Sequence, residues 1–174
     1  MAWSICRLIN SFFGHGGVVV IDSDGDAYVI EADPPVVKKT PILEFVNPKK
    51  YIIKILALKE EAFKDKAEYE RAIDTAVNFL RSKIGTKYDK RAIIWLALCY
   101  TILPILRKFN KNGFQNRLEF FCFELICQAF HGTSSIIKFL FAGVKYPEAE
   151  CGTITSRDIG KTVNVQFKAG KNVL

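Results

Sequence analysis

With two histidines and no Cys-x-x-Cys pair among its 174 residues, the chain has little with which to build a metal site, and a zinc centre is not expected. Its five cysteines, Cys6, Cys99, Cys122, Cys127 and Cys151, are odd in number and show no framework spacing, which argues against a disulfide scaffold as well. No apolar run reaches the roughly 20 residues that a membrane-spanning helix needs. The longest, 92–106, is bounded by Arg91 and by Arg107 and Lys108, and carries Pro104. The first 13 residues are apolar but hold Arg7 and lack a small-residue cleavage pattern, so they read as an amphipathic helix and not as a secretion signal. Intracellular, cytoplasmic residence with reduced thiols is the resulting expectation. Basic side chains are not interleaved with aromatics in the way that stacks bases, which argues against nucleic acid as a partner. There is no internal repeat and no low-complexity segment.

The hydrophobic content is 49%, enough at this length for one substantial core, and a single domain over 1–174 is expected. The net charge of +7 is uneven: 13 basic and 12 acidic side chains lie up to Tyr88, and 12 basic and 6 acidic beyond it. That half is either a solvated basic face or one suited to an anionic partner such as a phospholipid surface.

Residues 15–22 and 27–32 are β-branched runs separated by Ser-Asp-Gly-Asp, a hairpin signal because Asp-Gly supplies the positive-φ positions of a tight turn. Asp33-Pro34-Pro35 ends the second strand. An irregular strand interrupted by Pro41 is predicted over 36–46, and a buried one over 51–58. From about Lys59 the period becomes helical: Tyr69, Ile73, Ala76, Val77, Leu80 and Ile84 share one face, and Gly85 supplies the stop. Residues 86–89 form a loop or begin the next element. The run 92–106 reads as a buried helix, an acyl-binding wall or a membrane-dipping helix. A loop over 110–116 precedes a helix that begins at or just before Cys122, since Phe123, Ile126, Cys127 and Phe130 follow i, i+3, i+4, i+7. A further helix over 134–141, a turn at 153–158 and a last strand over 162–167 complete the reading.

A thiol attacks only as thiolate, and a helix amino terminus favours that charge. Cys122 is the cysteine best placed to head a helix; the other reading is an inert buried cysteine. Cys127 falls on the buried stripe, which points to core packing, and Cys151 in a polar loop. His15 enters the first strand, while His131 closes a helix, where a cation complements the dipole; His15 is thus the candidate base. Glu31 is the candidate to hold the imidazole. A two-residue turn at Asp24-Gly25 points His15 and Glu31 to opposite faces, whereas a three-residue loop opposes Gly17 to Glu31 and sets the carboxylate diagonally across from His15. The sequence leaves both registers open.

The order His15, strand, hairpin, Val29-Ile-Glu31-Ala, helix, Gly85-Thr-Lys-Tyr88-Asp89, then Phe121-Cys122-Phe-Glu124-Leu-Ile resembles the circularly permuted branch of the papain-like, NlpC-type hydrolases, the YiiX-like amidases. The flanks Ala2-Trp-Ser-Ile-Cys-Arg and Ile154-Thr-Ser-Arg-Asp-Ile are similar too. The chain departs from the pattern at Phe123, where a small serine is usual, and at Gly16 and Gly17, where an apolar residue is typical after the histidine. The resemblance implies an α+β, permuted papain-like domain with a small antiparallel sheet packed against helices. It further implies a cysteine amidase or thiol peptidase with a catalytic triad: Cys122 as nucleophile, His15 as general base and then acid, Glu31 as the orienting residue. Tyr88 matches a loop tyrosine near the nucleophile that assists the oxyanion or binds substrate; a packing role is the other reading. Glu124 matches a structural motif glutamate. No metal or organic cofactor is implied. The substrate would be a peptide, an amide or an acyl ester, with an acylated or membrane-associated molecule favoured by the 92–106 run and the basic half. The competing class is a non-catalytic binding or adaptor module that keeps the fold, for which Phe123, as a bulky neighbour of the thiol, is the best argument.

Overall fold

The hairpin forms, and its loop fixes the register. In the computed structural model, which describes residues 14–45, 53, 55–101, 118–131, 151 and 165–167, β1 (Gly17–Ile21) and β2 (Ala27–Asp33) run antiparallel. Asp22 N donates to Asp26 O at 3.0 Å and Gly25 N to Asp22 O at 3.0 Å, so Ser23, Asp24 and Gly25 make a three-residue loop. Gly25 has φ +88°, which glycine adopts without steric cost. Gly17 therefore faces Glu31. After Pro34 and Pro35, joined by a cis bond, β3 (Val36–Pro41) pairs antiparallel with β2, giving the order β1-β2-β3. Pro41 closes the strand and a 3-10 turn, Ile42–Glu44, follows. A second, two-stranded sheet pairs β4 (Leu56–Leu58) with β5 (Val165–Phe167).

The helix expected from about Lys59 begins later, as α1 (Lys66–Lys83), because Asp65 caps it: Glu68 N donates to Asp65 Oδ1 at 2.7 Å, and Lys64 N to Glu68 Oε2 at 2.8 Å. Ala72, Ala76 and Leu80 are its buried stripe, and the two alanines allow close approach of a neighbouring helix. That neighbour is α3 (Cys122–His131), which starts at Cys122. Between them α2 (Lys90–Thr101) opens on Asp89, whose fully buried carboxylate accepts from Ala92 N at 2.8 Å. Val20, Ile30, Ala32 and Val37 of the sheet join Leu80, Phe121 and Leu125 in one apolar cluster.

Residues 85–89 act as a stitch and not as a free loop. Gly85 N donates to Val37 O and Val37 N to Thr86 O, both at 2.8 Å, and Tyr88 N to Pro35 O at 3.0 Å. On the other side Phe120 N donates to Lys87 O at 3.1 Å and Asp89 N to Phe120 O at 3.0 Å. The open edge of β3 is thereby tied to the residues that lead into α3.

One expectation is overturned. Cys127 and Cys151 form a disulfide, 24 residues apart with Cα atoms 5.4 Å apart, where reduced thiols and simple packing of Cys127 are the sequence expectation and the spacing argues only against a disulfide scaffold. An odd count excludes a full framework but not a single bridge, and the buried stripe of α3 that carries Cys127 is where Cys151, itself buried, docks. The expectation of intracellular residence rests on the absence of a secretion-signal pattern, and the bridge departs from the reduced thiols expected with it. Among the described residues no helix is long and apolar enough to cross a membrane. The elements predicted for 1–13, 110–116, 134–141 and 153–158, and the end of the run 92–106, lie outside the described residues.

Candidate active site

The base side of the site is a product of strand register. Since Gly17 faces Glu31, His15, two residues earlier, reaches the same face, and its Nε2 lies 2.6 Å from Glu31 Oε2. The other oxygen, Oε1, accepts from the Thr40 hydroxyl at 2.7 Å, and Lys38 Nζ stands 3.9 Å away, bound at 2.7 Å to Asp33. Glu31 and Thr40 are buried, while the His15 side chain is 35% exposed. Gly17 is needed for this approach: a β-carbon there would meet Ile30 O at 3.0 Å and Glu31 Cβ at 3.1 Å.

The thiol side comes from α3. Cys122 is the first residue of that helix and a free cysteine; Leu125 N donates to Phe121 O at 3.0 Å, so the helical ladder starts at the residue before the thiol. N–H groups of a first turn have no intrahelical acceptor. The Cys122 side chain lies near enough to the His15 imidazole to help raise its pKa. With Nε2 held by the carboxylate, Nδ1 is the ring nitrogen left to exchange a proton with sulfur. Phe123, the bulky neighbour, is buried, and its ring packs against Gly16.

Charge follows this geometry. Burial opposes a positive imidazole, but the neighbouring Cys122 side chain and the hydrogen bond and charge of Glu31 outweigh it, and the His15 pKa is pushed up to about 10. Burial likewise works against the Glu31 carboxylate, yet the hydrogen bonds from His15 and Thr40 hold its pKa below the usual carboxylate range. Burial, together with the neighbouring Cys122, Asp33 and Asp89, raises the Tyr88 phenol, which keeps its proton. Tyr88 is half-buried and belongs to the stitch that leads to α3.

His15, Glu31 and Cys122, picked from sequence, are brought together, and Tyr88 lies within electrostatic reach of the thiol. Glu124 sits wholly buried in α3, where Gln128 Nε2 donates to its Oε1 at 3.1 Å. Thr40 and Lys38 were missed; their proximity to Glu31 depends on the β2–β3 register, for which the sequence carries no turn signal of the Asp-Gly kind. Among the described residues no group of three or more His, Cys, Asp or Glu side chains is gathered as a metal site.

A histidine-bearing antiparallel sheet packed on a later helix that begins with cysteine defines an α+β fold of the permuted papain-like class, in which the histidine precedes the thiol along the chain. The family model described as permuted papain-like amidase enzyme, YaeF/YiiX, C92 family, matches residues 4–93. The chain belongs to that family, and so to the papain-like amidases and peptidases, cysteine hydrolases in general. The matched span contains His15, Glu31 and Tyr88, and Cys122 lies beyond it. No curated protein matches the chain.

Proposed function

We propose that the protein is a cysteine amidase or peptidase working through an acyl-thioenzyme, with both parts of its site in one domain. Cys122 is the nucleophile, His15 the general base and then acid, and Glu31 the positioning residue. The observation that carries this reading is the His15 ring, hydrogen-bonded to Glu31 on one side and raised in pKa by the neighbouring Cys122 side chain on the other. The thiol proton resides on His15 while sulfur attacks the amide carbonyl. The tetrahedral oxyanion is met by the Cys122 backbone N–H and the Tyr88 hydroxyl. On collapse the C–N bond breaks and the imidazolium gives its proton to the leaving amine. Water, deprotonated by His15, then opens the thioester and restores the thiol. The buried Phe123 ring, packed on Gly16, takes away the main reason to read the chain as a non-catalytic adaptor.

For the substrate, an amide with an apolar or acyl portion is favoured. Val19 and Ile21, 46% and 67% exposed, follow Gly17 at strand spacing on the face that carries Glu31, and Ile94 of α2 is 55% exposed. The test is labelling with iodoacetamide at pH 7, followed by a panel of peptides, acylated peptides and phospholipid vesicles. Selective labelling of Cys122, slowed roughly tenfold or more in His15→Ala, and turnover that disappears in Cys122→Ala are expected. Turnover unchanged in Cys122→Ala would overturn the assignment of the nucleophile.

A further inference from the structure

Two consecutive glycines follow the base, and each faces a different neighbour. Gly17 faces β2, where its missing side chain lets Glu31 come up to His15. Gly16 faces α3: a β-carbon built there would lie 2.8 Å from Phe123 Cε1 and 3.1 Å from Ile126 Cδ1. Phe123 directly follows the thiol and Gly16 directly follows the imidazole. Phe123 and Ile126, one turn apart on α3, close on the Gly16 Cα from the helix side while the β1–β2 ladder holds the neighbouring Gly17. We propose that the Phe123 ring seated on Gly16 sets the distance between the Cys122 sulfur and the His15 ring, which makes Phe123 a positioning residue of the site. The claim rests on Cys122 and His15 being the reacting pair.

Size is reciprocal at this contact. A larger residue at position 16 must displace the Phe123 ring, and with it the start of α3 that carries the ring, since the first side-chain atom is already too close to that ring. A smaller residue at 123 leaves α3 free to settle differently against the strand. Either change moves sulfur relative to nitrogen, and displacements near 1 Å cost on the order of a hundredfold in well-oriented reactions. A paired change that restores the summed volume should restore the distance.

A double-mutant cycle of Gly16→Ala and Phe123→Leu tests this, made in a His131→Gln background so that His15 is the sole imidazole. Two readouts are taken: the NMR titration of the His15 ring and the rate of Cys122 alkylation at pH 7. Each single variant is expected to slow alkylation roughly tenfold or more and to move the His15 titration from about 10 toward the ordinary imidazole range; the double variant recovers both to within roughly threefold of native. Val77→Ala, which loosens α1 away from the site, lowers the melting temperature without moving the His15 titration. If Gly16→Ala does not fold, Phe123→Leu decides alone against Val77→Ala. The proposal is overturned if the single losses simply multiply in the double variant, if the singles leave the titration unmoved, or if Val77→Ala moves it equally. A native His15 that titrates in the ordinary range, with Cys122 labelled no faster than other thiols, would instead overturn the proposed function itself.

Discussion

The two sides of the site are built by different physics. His15, Glu31 and Thr40 lie on or beside one meander, separated by 16 and 9 residues, and short loops close at little entropic cost. Their meeting is decided by register, which is discrete: a slip of one residue turns every side chain to the other face. Cys122 arrives more than a hundred residues after His15, carried by a helix whose placement depends on packing against α1 and the strands. Packing yields by fractions of an ångström. The base side should therefore fail all at once, and the thiol side by degrees.

The largest effect is expected from Gly17→Val. Its β-carbon would lie 2.5 Å from Val29 Cγ1 and 3.0 Å from Ile30 O; the valine methyl can rotate aside, but the backbone oxygen cannot leave the ladder. β1 must separate from β2 or slip, and in both cases His15 loses Glu31. Turnover and selective Cys122 labelling should drop by about a hundredfold or more. Gly25→Ala supplies the contrast: its φ of +88° makes alanine cost about 1–2 kcal/mol, read as a lower melting temperature, while nothing lies within 4 Å of the added carbon and labelling stays native. Equal loss of labelling in both variants would mean that hairpin stability, and not the approach at Gly17, governs the base side.

That contrast also explains which parts of the molecule could be read from the sequence. His15, Glu31 and Cys122 stand out by chemistry, and Cys122 by the helical period that follows it. The hairpin was legible from Asp-Gly, but its register was not, because one residue of loop length decides it. Thr40 carries no mark of its own, since it meets Glu31 only through the β2–β3 pairing. Residues 86–89 read as a loop or the start of the next element because their pairing is with two distant partners by isolated bridges. Phe123 and Gly16 read as two separate departures from a family pattern and prove to be one contact. The Cys127–Cys151 bridge left no trace in spacing, since its partners are brought together by tertiary packing at α3 and not by a sequence motif.

The next effect is on pH. His15 has a raised pKa in the folded protein, so its contribution to stability is full below its ordinary 6.5 and is lost as pH rises through about 10. Glu31 has a lowered pKa, so its contribution is full above the ordinary 4.5 and is lost as pH falls below it. Both are complete between those two ordinary values. The melting temperature of the native protein should decline on the alkaline side through about 10, and more shallowly in His15→Gln, which has no proton to lose. Turnover should fall over the same alkaline range, as the imidazolium that protonates the leaving amine disappears. An alkaline decline equally steep in His15→Gln would show that other groups control it.

Thr40→Val should have the smallest effect and gives the sharpest measure of how far register alone governs the base side. Valine keeps the shape and removes the hydroxyl that donates to Glu31 Oε1 at 2.7 Å, while β3 and its pairing stay in place. A hydrogen bond to a charged group contributes about 1.5–3 kcal/mol, and here the acceptor also keeps His15 at 2.6 Å and Lys38 at 3.9 Å. With one of the bonds that depress it gone, the Glu31 pKa rises toward the ordinary range, so the acid-side loss of stability begins at higher pH than in the native protein. His15 retains its partner, and turnover at pH 7 falls only a few-fold, by about 1 kcal/mol of barrier. The check is the melting temperature of both proteins from pH 3 to 7 beside their turnover at pH 7. A loss of turnover as large as that of Gly17→Val would mean that the carboxylate is aimed by Thr40 and not by the strand that carries it.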